Sequence, residues 1–216
     1  MADLATAPAA AAAHDDVHGA HETTTGISNT KLAMWLFLGS ECLLFGALIS
    51  TFLLYKRQLN VFPGFEDAEV NRLGADIFDI PFTSVSSFVL LMSSLTMVLA
   101  LSALGRGDIY RSKIWILSTA LLGSIFIGGQ VYEFTAFYNE GLGFTTNIFS
   151  SAFYTLTGFH GAHVTIGIIM LMTAYVMVSS GRLKRENAET LEIIGLYWHF
   201  VDIVWVFIFT VVYLIP

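Results

Sequence analysis

Five runs of this sequence, at about 32–55, 83–104, 114–138, 149–178 and 191–215, each exceed the ~20 apolar residues that carry a helix across a bilayer. Lipid offers the backbone no hydrogen-bond partners, so a spanning segment of this kind must close its own bonds as a helix. The expected fold is all-α: a polytopic bundle of five transmembrane helices formed by residues 31–216. Breakers separate the runs. Asn60, Pro63 and Gly64 open the first loop and Pro81 closes it; Gly105 and Gly107 mark the second, Asn139, Gly141 and Gly143 the third, Gly181 and Asn187 the fourth. The chain is 12% charged, about half the share of a soluble domain. No repeat or linker divides it.

Residues 1–30 lack the apolar core and basic start of a signal peptide. They read as a disordered cytoplasmic tail rich in Ala, Thr, Asp and His. Its His14, His18 and His21 are expected to be solvated rather than to hold a metal. Net charge is −7 with no basic patch, which argues against a nucleic-acid partner. Cys42 is the only cysteine and lies in a membrane run, so no internal disulfide forms.

Lys and Arg set the direction of insertion. Lys31, Arg106, Arg111, Lys113, Arg182, Lys184 and Arg185 fall on one side, and Lys56, Arg57 and Arg72 on the other. The excess puts the N-terminus in the cytoplasm, and five crossings put Pro216 outside. The first loop is acidic through Glu66, Asp67, Glu69, Asp76 and Asp79, and reads as a solvated connector.

Function is sought where polar groups enter lipid, because buried ionisable side chains are costly there. Glu41 lies halfway along WLFLGSECLLFGALISTFLLY (35–55). Its helix-wheel neighbours, Met34, Phe37, Leu38, Phe45 and Leu48, cannot donate a proton. Hydrocarbon strips the hydration of a carboxylate, so the neutral acid is the expected resting form. Gln130 and Glu133 in FIGGQVYEF (126–134) share a face. Glu133 is near the outer end of its helix, within reach of interfacial water, and reads as a structural polar contact. His160 and His163 share a face in GFHGAHVTIG (158–167), where Gly158, Gly161, Ala162 and Gly167 admit a close neighbour. Two histidines at i, i+3 point the same way and do not grip one haem, so hydrogen-bonded packing roles are expected. In YWHFVDIVWVF (197–207), His199 and Asp202 are three apart, and a direct pair between them would lower the cost of burying either. Trp198, Asp202 and Trp205 form one stripe. These residues alone describe a five-helix protein with buried polar clusters and no self-sufficient redox centre.

YWHFVDIVWVFIFTVVYL, SAFYTLTGFHGAHVTIG, FIGGQVYEF and WLFLGSECLLFGALISTFL resemble, in order, the helix motifs of subunit III of haem–copper oxidases, in the short five-helix bacterial form. The resemblance covers nearly all of 32–216; the longer form has two further helices ahead of these five. It implies a non-catalytic subunit of a proton-pumping cytochrome c oxidase of the aerobic respiratory chain, in the bacterial plasma membrane. It implies no catalytic residue and no cofactor in this chain, with haems and copper in subunits I and II. The implied partners are subunit I as main contact, subunit II, a small subunit IV, and bound phospholipid. The implied roles are support of proton uptake and protection of subunit I from turnover inactivation. Glu41 matches the family's carbodiimide-reactive buried acid. Gln130, Glu133, His160, His163, His199 and Asp202 are expected to be structural polar or lipid-facing positions. Subunit III of the quinol oxidases is the neighbouring alternative, often with Asp at the position of Glu41. A b-type membrane cytochrome using His160, His163 and His199 is the alternative from a different class.

Overall fold

The computed structural model describes residues 28–58, 79–146 and 148–215. Most of the tail, including His14, His18 and His21, and most of the acidic first loop lie outside the described residues.

Among the described residues, five helices are long and apolar enough to cross a membrane: α1 (Asn29–Gln58), α2 (Ile80–Gly105), α3 (Ile109–Asn139), α4 (Ile148–Ser179) and α5 (Ala188–Phe209). A short 3₁₀ turn, Arg185–Asn187, precedes α5, and a π-helical turn, Thr210–Leu214, extends it. The first three start earlier than the hydropathy alone suggests because polar caps lie upstream. Ser28 Oγ accepts from the Lys31 N–H (3.2 Å), so residues 29 and 30, read as tail, form the first turn of α1. Asp79 Oδ1 accepts from the Phe82 N–H (3.1 Å) and Asp108 Oδ1 from the Arg111 N–H (3.0 Å). A cap of this kind satisfies one of the free amides of a helix start. Pro81, expected to close the loop, instead sits in the first turn of α2, where its missing N–H leaves no helix bond unmade.

The α2–α3 hairpin turns at Gly107, whose φ of +79° is one that a residue with a Cβ avoids. The Asp108 N–H then reaches back to the Ala103 carbonyl (3.0 Å). Of the helix pairs, α2 and α3 pack most extensively; α3 continues onto α4, and α5 packs on α2, α4 and α1. The core lies around α5, where Trp198, Trp205, Val201 and Ile208 are buried among Met97, Phe126 and Val164.

By contrast α1 is peripheral and exposes Leu36, Leu43 and Leu54. It runs parallel to α5 and is tied to it at both ends. Lys31 pairs with Glu192 and Ser28 hydrogen-bonds Glu189 at one end. At the other, Lys56 Nζ donates to the carbonyls of Ile215 and Val211. Against the antiparallel α4, Phe52 packs on Phe149 with ring centroids 5.3 Å apart.

Candidate functional site

The acid on α1 has a partner on α4. His163 Nε2 lies 3.1 Å from Glu41 Oε2, and both side chains are nearly enclosed (13% and 15% exposed). The other ring nitrogen of His163, Nδ1, lies 2.8 Å from the Phe159 carbonyl oxygen. Phe45 meets the imidazole edge-on at 5.0 Å. Tyr197 on α5 donates to the His163 carbonyl (3.1 Å) and stacks on Phe37. The apolar wheel around Glu41 holds for its own helix, and the polar partner, His163, comes from α4. A wheel carries no information on what the next helix brings.

His160 and His163 separate into different environments. His160 is fully buried, stacks on Trp205 at 4.8 Å and meets Phe126 edge-on at 5.9 Å. Neither of its ring nitrogens has a hydrogen-bond partner among the described residues. It packs against these rings without the hydrogen bond that a satisfied packing role calls for. Beside it, a Cβ added at Gly161 would sit 2.9 Å from Gln130 Oε1. That approach seats Gln130, whose Nε2 donates to the Thr157 carbonyl (3.1 Å). Gly167 is likewise filled, by Trp198. Among the described residues no neighbour comes within 4 Å of such a Cβ at Gly158, so none of them makes the close contact its spacing suggests.

One turn along α3, Glu133 is also enclosed (6% exposed). Its Oε1 accepts from Thr83 Oγ1 (2.6 Å) and Tyr213 Oη (3.0 Å). The expected reach toward interfacial water is therefore replaced by a knot joining α2, α3 and the end of the chain.

His199 and Asp202 do not pair directly. Ser94 on α2 stands between them: its Oγ donates to Asp202 Oδ2 (2.5 Å) and lies 3.1 Å from His199 Nδ1. The spacing of three is right for a shared face, yet each side chain turns toward the neighbouring helix. Two indoles of the same stripe behave alike, Trp198 donating to Ser93 Oγ (2.9 Å) and Trp205 to Ser87 Oγ (2.8 Å). Sequence reasoning missed this hydroxyl seam of Thr83, Ser87, Ser93 and Ser94. The available signal was the recurrence of hydroxyls at helical spacing within an apolar run.

These knots can hold helices together, and the Glu41–His163 pair can in addition hold a proton. Among the described residues no three His, Cys, Asp or Glu side chains gather as metal ligands. The family model for cytochrome c oxidase subunit III matches residues 10–215. The chain belongs to the cytochrome c oxidase subunit III family. It is similar to cytochrome c oxidase subunit 3 of Bacillus sp. (strain PS3), 41% identical over 86% of each chain. It is 38% identical to cytochrome c oxidase subunit 3 of Alkalihalophilus pseudofirmus, again over 86% of each. A probable quinol oxidase subunit 3 of Staphylococcus saprophyticus is 37% identical, over 86% of this chain and 88% of that one. Relatives thus divide between cytochrome c oxidases and quinol oxidases. As a subunit III of the haem–copper oxidases, the chain is a multi-pass membrane component of a complex with other oxidase subunits, in a family that itself carries no redox cofactor.

Proposed function

We propose that this chain is subunit III of a proton-pumping cytochrome c oxidase in the cytoplasmic membrane of a bacterium. It takes no part in oxygen chemistry. Its membrane domain, from the start of α1 at Asn29 onward, packs mainly on subunit I and secondarily on subunit II, with a small subunit IV and phospholipid at the periphery. The residues ahead of α1 are a cytoplasmic tail. The excess of Lys and Arg at the end of the bundle bearing Lys31, Arg106 and Arg185 supports an N-terminus in the cytoplasm and a C-terminus outside.

The observation that carries the reading is the Glu41–His163 pair between α1 and α4. It is a proton-holding group deep in apolar surroundings, and intramembrane ionisable pairs mark proton pathways or structural cross-links. Glu41 is the proton-related acid; Gln130, Glu133, His160, His199 and Asp202 hold the bundle rigid. The rigid bundle shields subunit I, steadies its proton entrance and extends its working life.

Oxygen consumption followed against the number of turnovers, with and without this chain, tests the reading. The expected result is near-normal initial turnover followed by faster inactivation, with slower proton uptake at high pH. Complete loss of activity from the first turnover would mean a catalytic role, and an unchanged lifetime would remove the protective one.

The likeness to a quinol oxidase subunit 3 supports a second reading, the same role in a quinol-fed enzyme. Glu41, where that branch often carries Asp, favours the cytochrome c branch. Oxidation of reduced cytochrome c, but not of quinol, by the purified complex separates the two.

A further inference from the structure

We propose that Glu41 and His163 form one proton-holding unit across the α1–α4 contact, sharing a single proton between Oε2 and Nε2. The inference deepens the reading of Glu41 as a proton-related acid and, like it, rests on the chain lying in the membrane.

The geometry of His163 carries the argument. A carbonyl oxygen only accepts, so the 2.8 Å contact from Nδ1 to the Phe159 carbonyl requires a hydrogen on Nδ1. That contact lies within the helix of His163 itself and fixes the ring. With Nδ1 committed, Nε2 is left 3.1 Å from Glu41 Oε2. Two arrangements satisfy this contact. In one, the Glu41 carboxyl O–H donates to a bare Nε2. In the other, the O–H bond has broken, an N–H bond has formed, and an imidazolium donates to a carboxylate. The transfer needs no other reactant. The pair is uncharged overall in both arrangements, so the apolar surroundings do not have to solvate a net charge in either.

Other groups facing the pair do not compete for the proton. Tyr197 spends its hydroxyl hydrogen on the His163 carbonyl. Phe45 covers the ring. Among the described residues, no Lys or Arg lies within ion-pair distance of Glu41. His163 is thus a positioning residue: it decides where the Glu41 proton resides. An acid bound to an imidazole nitrogen differs from an isolated acid, and its carbonyl bond reports that difference.

Infrared spectra of the intact oxidase complex in liposomes test the unit, with the Glu41 carboxyl band taken as the one lost in Glu41→Gln. In His163→Gln the Glu41 band is expected to narrow and move to higher frequency, because the imidazole acceptor is gone. Glu41→Asp, one methylene too short for Nε2, is expected to show the same narrow, high-frequency band from its own carboxyl group, and serves if His163→Gln fails to assemble. Labelling histidine with ¹⁵N is expected to show a protonated Nδ1 on His163 in both the wild type and Glu41→Gln. A carboxyl band that is unchanged in both variants, or a bare Nδ1, would overturn the proposal. These measurements need no turnover, so the pair can fail while the subunit's protective role stands, and the role can fail while the pair stands.

Discussion

Trp205 lies against His160 with ring centroids 4.8 Å apart and planes 26° from parallel, while its indole N–H donates to Ser87 Oγ at 2.8 Å. One side chain of α5 thereby joins α2 and α4 through two kinds of contact. The two can be separated. Trp205→Phe keeps an aromatic face for His160 and loses the hydrogen bond, at a cost of ~0.6–2 kcal/mol for an interhelical bond in a membrane protein. Trp205→Ala loses both and leaves a cavity, at ~3–5 kcal/mol. Thermal unfolding of the purified complex, read on this chain, is expected to rank them in that order. Equal losses would mean that the stack contributes nothing.

Trp198 occupies a slot between α3 and α4. A Cβ at Gly123 would sit 2.6 Å from its ring, and one at Gly167 would sit 2.8 Å away. Gly123→Ala and Gly167→Ala are each expected to destabilise the bundle by ~1–3 kcal/mol, the range for overpacking. Trp198→Phe in the same chain should recover part of that loss, because the smaller ring retreats from the added methyl group. Retention of the subunit during detergent purification provides the assay. Failure of the double variants to improve on the single ones would show that the strain is relieved elsewhere.

Ser94→Ala removes the hydroxyl between His199 and Asp202. Asp202 Oδ1 already has no partner among the described residues, so the loss strands the carboxyl group further. The expected cost is ~1–3 kcal/mol, that of leaving a buried polar group unsatisfied. Ser50→Ala, at an exposed position on α1, is the control and is expected to fall within ~0.5 kcal/mol of the wild type. Denaturation midpoints of the two variants decide the matter.

Glu41→Gln retains shape and a hydrogen bond to His163 but has no proton to release. Assembly is expected to be preserved. Initial proton uptake in vesicles should slow by less than about tenfold, the equivalent of ~1.4 kcal/mol in a barrier. Proton-to-electron ratios measured alongside complete the test. Identical values in variant and wild type would reduce Glu41 to a helix cross-link.

The helices were readable because each apolar run is long enough to leave the backbone no alternative. Their starts were less so: Ser28, Asp79 and Asp108 are ordinary loop residues until their side chains are seen on the first free amides. The polar positions were readable one helix at a time. Glu41, Gln130, Glu133, His160 and Asp202 stand out in any apolar run, and all but Glu41 are buried. Their partners come from other helices. Nothing in the local sequence of Glu41 announces His163, which lies 122 residues away, and nothing near His199 announces Ser94. Gly123 escaped notice for the same reason. A glycine shows its purpose only once the ring that fills its place is known.

The ties at both ends of α1 have a mechanical consequence. From Lys31 to Lys56 the helix is about 37 Å long at ~1.5 Å per residue, against ~30 Å of bilayer hydrocarbon. A free helix of that length leans over when the membrane thins. This one is fastened to α5 through Glu192 at one end and the Ile215 carbonyl at the other, with Glu41 holding it to α4 between them. It cannot lean by itself. A change in membrane thickness must tip the five helices as one body or deform the surrounding lipid, so the subunit meets its bilayer as a plate of fixed height.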